Sequence, residues 1–357
     1  MTKKLRIAVL FGGRSAEHEV SLMSARNVVA ALDPSRYEIV PIGITRDGRW
    51  LLLDLEDGDL PRAIPATGTQ VALIPGGRGR AVTIAADGGQ GLLDPVDLIF
   101  PVLHGPFGED GTVQGYAETA DIAYVGCGVA ASAVAMDKVL AKQLLAADGL
   151  PVAGAITLCK GDALASGTIV ETLGLPLFVK PARQGSSVGV SRVDSAEGLQ
   201  AALDEAFRHD DKVLIEEFVK AREIECSVLE DASGRVTVSR PGEIIPAESH
   251  GFYSYDAKYV DADGAVVKAP ADLPDAIATQ AKEMAERAFR ALACNGMARV
   301  DFFLKPDGSL VINEINTIPG FTNISMYAKA LAAEGISYAQ VVETLIAHAL
   351  TLRGERA

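Results

Sequence analysis

The order of apolar runs, glycine turns and amphipathic stretches predicts an α/β fold that passes into α+β in its C-terminal parts. Three observations carry this. A short apolar run ending at Gly12-Gly13 leads into a helical pattern and then a second strand, the order of a βαβ unit. A strand run ending at Lys180 meets the Gly/Ser-rich turn GSSVG at 185–189, and a helix and another strand follow. Near the C-terminus two strand runs flank Pro306-Asp307-Gly308-Ser309, and Asp-Gly between such runs signals an antiparallel hairpin.

The elements follow in chain order. Leu5–Phe11 is short and almost wholly apolar, as a parallel strand buried on both faces must be. A helical pattern covers Val20–Leu32, and Tyr37–Ile44 reads as the second strand. Residues 46–90 are rich in Gly, Pro and Asp, with strand-like pieces at Trp50–Leu53 and Val71–Ile74, and read as hairpins inserted into the first domain. Asp97–Leu103 is a further buried strand. His104-Gly105 opens a polar loop, a helix follows Gly111, and Ile122–Val125 ends a first domain of residues 1–125. A helix over Met136–Asp148 stops at Gly149. Strands at Leu177–Lys180 and Val213–Val219 enclose a helix over Ser195–Arg208, completing a section of residues 126–220. The last section, 221–357, opens with the strand Ile224–Leu229. A polar, Tyr-rich loop at 248–269 precedes a helix over Pro274–Leu292. On that helix Ile277, Ala281, Met284, Ala285, Ala288 and Leu292 share one face. Two strands and two helices finish the chain, with no internal repeat.

Composition narrows the function. The 357 residues suit two to three domains at ~150 residues each. With 33 Lys+Arg against 47 Asp+Glu, the net charge of -14 argues against general nucleic-acid binding, which needs a cationic surface. Anionic substrates would need local lysines, arginines, metal ions or helix N-termini. Cys127, Cys159, Cys226 and Cys294 lie too far apart for a zinc or CxxC pattern and read as reduced thiols of a cytoplasmic protein. The basic start and its brief apolar run lack the length and cleavage site of a signal peptide, and no stretch is apolar enough to span a bilayer.

The hairpin 299–316 is the strongest chemical signal. With Asp307-Gly308 as its loop, residues whose numbers sum to 615 oppose one another. Asp301 then faces Glu314, Arg299 faces Asn316, and alternation puts all four on one face. Like charges directly opposed are destabilising. Two facing carboxylates with an Asn carbonyl suit a hard cation such as Mg²⁺; the same pattern also fits the solvated face of an edge hairpin, and a one-residue slip would separate the carboxylates. The turn after Lys180 offers Gly185, Ser186, Ser187 and Gly189, small residues that let backbone N–H groups approach phosphate oxygens. It is not a Walker A loop, and a plain glycine-rich turn reads equally. Lys138 and Lys180 are candidate phosphate cations. FGGRSAEHEVS does not match the dinucleotide fingerprint, and Glu17 there would repel a pyrophosphate. It suits an ammonium group, or simply the dipole of the helix it opens. In HGPFGEDG, Asp110 can cap the helix after Gly111.

These pieces occur together and in order. GGRSAEHEVS, HGPFGEDGTVQG, GVAASAVAMDK, VKPARQGSSVGV, VLIEEFV, EIECSVL, YDAKY, RVDFF and NEINTIPGFT make the chain resemble the D-alanine–D-alanine ligases over nearly its whole length. The resemblance implies an ATP-grasp architecture with an N-terminal Rossmann-like parallel-sheet domain, and ligation of two D-alanines for peptidoglycan through an acyl phosphate. Lys138, Lys180, Ser187 and Lys258 would meet ATP phosphates. Glu216, Glu217, Phe218, Val219 and Glu223 would meet the base and ribose. Asp301, Glu314 and Asn316 would hold two Mg²⁺ ions, for which Mn²⁺ can substitute. Glu17 would bind the ammonium of the first D-alanine, with Arg299 and the Gly320 N–H on the oxyanion and Ser325 at the second D-alanine's carboxylate; His104 and Met326 would also bind substrate. Ser186 and Tyr259 would link with Glu17 to close the site. The partners implied are D-alanine, ATP and a second copy of the chain, with no nucleic acid and no membrane.

The resemblance has departures and rivals. Glu217 stands where some relatives have Lys, so a lysine side-chain role does not carry over, and the 46–90 insertion is absent from the shortest members. A D-alanine–D-lactate or D-alanine–D-serine ligase is the rival within the family. Lactate-using relatives carry His at the position of Tyr259, which favours the dipeptide. A nucleotide-binding regulator without catalysis is the rival of another class, and it would not need Arg299 beside Asp301, Glu314 and Asn316.

Overall fold

The computed structural model describes residues 3–162, 165–246, 265–322 and 325–356. Strand β1 (Leu5–Gly12) is the axis of an eight-stranded sheet. It leads through helix α1 (His18–Ala31) to the parallel β2 (Tyr37–Ile44). The 46–90 stretch supplies β3 (Trp50–Leu52), β4 (Gln70–Leu73), β5 (Ala81–Ile84) and β6 (Gln90–Leu93), which extend the sheet as an antiparallel meander beyond β2. On the other side of β1 lie β7 (Leu98–Pro101), then α2 (Thr112–Thr119) and β8 (Ala123–Tyr124), with both strands parallel. Alternation along β1 splits the interior into two layers. Ile7, Val9 and Phe11 face one core, and Ala8 and Leu10 face the other, as the period of two requires.

The expected helix over Met136–Asp148 is present with slightly shorter bounds, and a further, unexpected helix precedes it. Helix α3 (Val129–Met136) ends at Asp137, whose carboxylate accepts from Val139 N at 3.1 Å and Leu140 N at 3.2 Å and so starts α4 (Lys138–Ala147). Then follow β9 (Ala155–Cys159), α5 (Ser166–Leu173), β10 (Leu177–Pro181), β11 (Ser191–Val193), α6 (Leu199–Ala206) and β12 (Lys212–Glu217). A short 3-10 turn at Ala196–Gly198 replaces the first turn expected for α6. The four strands form an antiparallel sheet in the order β11-β10-β12-β9.

The third sheet is also antiparallel: β13 (Arg222–Glu230), β14 (Val236–Val238), β15 (Gly242–Pro246), β16 (Ala265–Lys268), β17 (Met297–Leu304) and β18 (Leu310–Asn316). The last residues of the expected 248–269 loop are thus a strand; Lys258 and Tyr259 lie outside the described residues. Helix α7 (Asp275–Ala291) covers the sheet with Ala281, Met284, Ala285 and Ala288, while Ile277 is only partly buried at the edge of that packing. Helices α8 (Met326–Ala333) and α9 (Tyr338–Arg356) complete the described chain.

Helix α9 does not pack with its sequence neighbours alone. Val341, Val342, Leu345, Ile346 and Ala349 enter the same core as Ile7, Val9, Phe100 and α1, together with Phe321 and Tyr327. The two ends of the chain therefore share one interior. Leu345 is fully buried there. Leu345→Ala is expected to cost about 2–5 kcal/mol of stability, read as a lowered urea midpoint, and a single transition should lose secondary structure of both ends together.

Candidate active site

The hairpin β17–β18 sets the centre. Asp301 opposes Glu314 and Arg299 opposes Asn316, as the expected register has it. The turn differs, however. Leu304 pairs with Leu310, and Lys305 N donates to Ser309 O at 2.9 Å, so the loop is Pro306-Asp307-Gly308 with Gly308 at φ 86°. That one-residue shift is cancelled by a bulge beyond Asp301, where Asn313 stands without a partner in the ladder. Strand β13 adds Glu225 directly opposite Asp301.

Three carboxylates thus crowd one face, and Arg299 lies among them. Its Nε and Nη2 donate to Asp301 Oδ1 and Oδ2, both at 2.7 Å, and Nε is 3.1 Å from Glu225 Oε2. Burial favours loss of the guanidinium proton, but Asp301, Glu225 and Glu314 outweigh it and hold the pKa well above its ordinary value. Asn316 Nδ2 donates to Asp301 Oδ2 at 3.0 Å, a bond that does not use its amide oxygen. The oxygens of Asp301 keep further lone pairs beyond those the Arg299 and Asn316 bonds use. Asp301, Glu314 and Asn316 therefore offer the hard oxygen donors that suit Mg²⁺. Among the described residues no group of three or more His, Cys, Asp or Glu is placed to hold a metal ion by itself; the donors here are two carboxylates and an amide.

On one side lie the lysines. Lys138, in the first turn of α4, donates to Gln184 O at 2.8 Å and is 3.5 Å from Glu314 Oε2. Lys180, on β10, is ion-paired with Glu216 of β12, which is 3% exposed. Lys142, one helical turn after Lys138, reaches the same carboxylate at 2.5 Å. Burial pushes the Glu216 pKa up, yet Lys180 and Lys142 overcome it and hold the group below its ordinary range; burial lowers that of Lys142.

On the other side Glu17 enters from the loop before α1, 8% exposed, and accepts from Ser186 Oγ at 2.5 Å. It fits because its neighbours have no side chains: a Cβ on Gly105 or Gly185 would lie 2.8 or 2.7 Å from its Oε2. Ser186 and Ser187 both have positive φ, which bends the turn toward Glu17. His104 is buried, and burial lowers its pKa more than Glu17 raises it, so it is neutral at pH 7. Its Nδ1 faces Ile318 O at 3.1 Å; a carbonyl only accepts, so Nδ1 carries the proton and Nε2 accepts from Ser24 Oγ at 3.2 Å.

Two cavities meet between these sides. A small one of about 80 Å³ is lined by Glu17, His104, Glu109, Asn316 and Gly320. A larger one of about 490 Å³ is lined by Lys180, Ser187, Glu216, Phe218, Glu223 and Asp301, with Glu217 and Val219 also on its wall. Lys138, Gln184, Ser186, Arg299 and Glu314 border both. Phe218 is half-exposed, its ring 6.1 Å from that of Phe178 and beneath the Arg192 guanidinium. Glu217 is tied to Gly154, whose N–H it accepts at 2.7 Å. Ser325 precedes α8 and turns its Oγ to the Thr322 N–H at 3.0 Å, beside Gly320. Met326 is buried against Ile244 and Ala330 and does not line the small cavity. Sequence reasoning missed Lys142, Glu225 and Glu109. Lys142 was legible as the residue four after Lys138, and Glu225 as the residue two after Glu223 on the same strand face.

The D-ala D-ala ligase N-terminus model matches residues 6–127, and the D-ala D-ala ligase C-terminus model matches 144–347. The chain is 61% identical over 353 residues to D-alanine–D-alanine ligase A of Mesorhizobium japonicum, covering 98% of each. It is 53% identical to D-alanine–D-alanine ligase A of Brucella suis over 97% of this chain and 98% of that one. The D-alanine-D-alanine ligase of Coxiella burnetii superposes with a TM-score of 0.85 at 36% identity, over 99% of this chain and 96% of that one. VanG D-Ala:D-Ser ligase of Enterococcus faecalis superposes at 0.84 and 36% identity, over 97% and 99%.

Glu216 gives a stability signature. Its folded pKa lies below the ordinary 4.5, so its contribution is complete above that pH and is lost as pH falls through the folded value. Glu216→Gln leaves two facing ammoniums without a counter-charge and is expected to cost about 3–5 kcal/mol at neutral pH. Urea titrations of both proteins should show that difference shrinking once pH drops below 4.5.

Proposed function

The chain belongs to the D-alanine–D-alanine ligase family and is an ATP-dependent ligase of ATP-grasp fold; from this premise we propose how its residues join two D-alanines into D-alanyl-D-alanine, with ADP and phosphate as the other products. The observation that carries the reading is the shared wall of Lys138, Ser186, Arg299 and Glu314 between a nucleotide-sized cavity and an amino-acid-sized one. A phosphoryl group crossing from ATP to a carboxylate has to pass such a wall. The product serves peptidoglycan precursor synthesis.

In this reading Phe218, Val219, Glu217 and Glu223 receive the base and ribose, and Lys138 and Lys180 receive the phosphates. Lys180 is held in place by its ion pair with the buried Glu216. Ser187 adds a hydroxyl, and Lys258 a further cation. Asp301, Glu314 and Asn316 would hold two Mg²⁺ ions, or Mn²⁺, whose charge offsets that of the transferring phosphoryl group. Glu17 takes the ammonium of the first D-alanine, and the neutral His104 lines the same subsite. The carboxylate of that D-alanine attacks the γ-phosphate to give an acyl phosphate. The amine of the second D-alanine then attacks the acyl carbon. Arg299 and the Gly320 N–H stabilise the oxyanion, while Ser325 borders the second carboxylate. Ser186 and Tyr259 close the site over Glu17, and closure keeps water from the acyl phosphate. We place this chemistry in the cytoplasm, in a homodimer, as the resemblance implies. No helix among the described residues is long and apolar enough to cross a membrane.

Asp301→Ala and Glu314→Ala should each lower D-alanine-dependent phosphate release by at least ~100-fold, several kcal/mol of lost charge compensation at 1.36 kcal/mol per tenfold. Near-normal turnover of Glu314→Ala at saturating Mg²⁺ would overturn that assignment.

The acceptor needs its own test, because a D-Ala:D-Ser ligase superposes almost as well as a D-alanine-D-alanine ligase. Tyr259 is neutral where a protonated His would repel an incoming ammonium but not a lactate hydroxyl. Offered D-alanine, D-serine and D-lactate in competition, the chain should make chiefly the D-alanine dipeptide. Tyr259→His should raise the lactate share, most at about pH 6. A wild-type chain that already makes mainly D-alanyl-D-lactate at that pH would show the reading of Tyr259 to be wrong.

A further inference from the structure

The segment Thr317–Phe321, which carries Gly320, does not hold its own shape. It follows β18 outside any helix or strand, and the N-terminal part of the chain grips it. Ile318 N–H donates to Glu109 Oε1 at 3.2 Å, and Ile318 C=O accepts from His104 Nδ1 at 3.1 Å. Phe321 N–H donates to Ser24 Oγ at 3.3 Å, and Phe321 C=O accepts from Asn27 Nδ2 at 3.1 Å. Glu109 differs from the other three because it holds two backbones at once. Its Oε2 accepts the Gly105 N–H at 2.6 Å, and Gly105 is the residue whose bare Cα makes room for Glu17. One carboxylate therefore ties the wall of the Glu17 subsite to the segment two residues before Gly320.

Neutral side chains of the same size cannot do this. A glutamine offers one accepting oxygen and turns an N–H₂ toward the second N–H. The groups facing Glu109 are Glu17 from the entrance of α1, His104 from the loop after β7 and Arg299 from β17. Burial and the Glu17 carboxylate push Glu109 up to about 8, against the pull of its two backbone N–H donors and Arg299. An ammonium beside Glu17 offsets the repulsion and favours the ionised form that accepts at both oxygens.

We propose that Glu109 is a positioning residue for the second half of the reaction: by bridging Gly105 N–H and Ile318 N–H it sets where the Gly320 N–H points when the acyl carbon is attacked. The proposal rests on the ligase reading above. Glu109 lines the small cavity and not the larger one that receives the nucleotide, so a loose segment should spare acyl-phosphate formation and impair attack by the second amine. Acyl phosphate that is not captured is lost to water.

The test is Glu109→Gln in the full chain with ATP, Mg²⁺ and D-alanine, measuring phosphate and dipeptide in the same samples. The dipeptide rate should fall about 10- to 100-fold, as expected for a misplaced catalytic group. Phosphate released per dipeptide should rise from one to above about 3, because the activated intermediate is hydrolysed. The KM for ATP and calorimetric ADP binding should stay at wild-type values. A ratio that stays at one overturns the proposal, whether or not the rate falls. A variant that no longer binds ADP overturns it too, since Glu109 would then support the fold and not one segment. Wild-type protein that releases no phosphate with D-alanine would instead sink the ligase reading itself.

Discussion

The arrangement depends on one guanidinium. Glu225, Asp301 and Glu314 sit on three adjacent strands in direct register, so the sheet places like charges side by side where pairing should fail. Arg299 stands two residues along from Asp301 on the same face and bonds both of its oxygens while reaching Glu225. The central sheet can keep a carboxylate-rich face because a fixed, planar cation neutralises it, and a lysine could not replace that fork. What results is a dense patch of oxygen donors with little freedom to move, next to a lysine from α4 and a serine turn from β10. Those elements come from the third sheet, the second sheet and helix α4, so the centre exists only when they pack together.

Much of this was legible in the sequence, and the reasons differ by element. The hairpin register at Asp301 and Glu314 was readable from the spacing, although two local features went unseen. The three-residue loop at Pro306-Asp307-Gly308 and the bulge at Asn313 each shift the ladder by one, and they cancel. The parallel strands β1, β2 and β7 were readable because burial on both faces leaves unbroken apolar runs. Helix α3 was missed because its alanines carry no amphipathic contrast, and strands β9, β14 and β15 because runs of three to five residues are too short to show a period. The buried Lys142–Glu216–Lys180 set was only half readable. Helical spacing pairs Lys142 with Lys138, but nothing local says that β12 passes beside both. Long-range contacts such as Glu109 to Ile318 have no sequence periodicity at all.

The two halves of the site are held by different physics. The side with Lys142, Glu216 and Lys180 is a set of close charges in a largely buried region. Its geometry follows from electrostatics, and salt should affect it little. The side with Glu17 is a set of backbone hydrogen bonds from Glu109, His104, Ser24 and Asn27 to an irregular segment. Such bonds fix orientation more than they add stability. That division suits a reaction whose first half needs charge neutralisation and whose second half needs a donor aimed at one atom.

The shared interior of the two chain ends has a consequence for synthesis. Ribosomes release a chain from its N-terminus, and domains generally fold as they emerge. Here one face of the first sheet, with Ile7, Val9 and Phe100, is completed by Val341, Leu345 and Ile346 from the last helix. A nascent chain therefore carries a nearly finished sheet whose apolar side stays open until α9 has been made. Chaperone occupancy during synthesis should concentrate on that face, and a ribosome stalled just before α9 would leave a sticky intermediate instead of a free-standing N-terminal module.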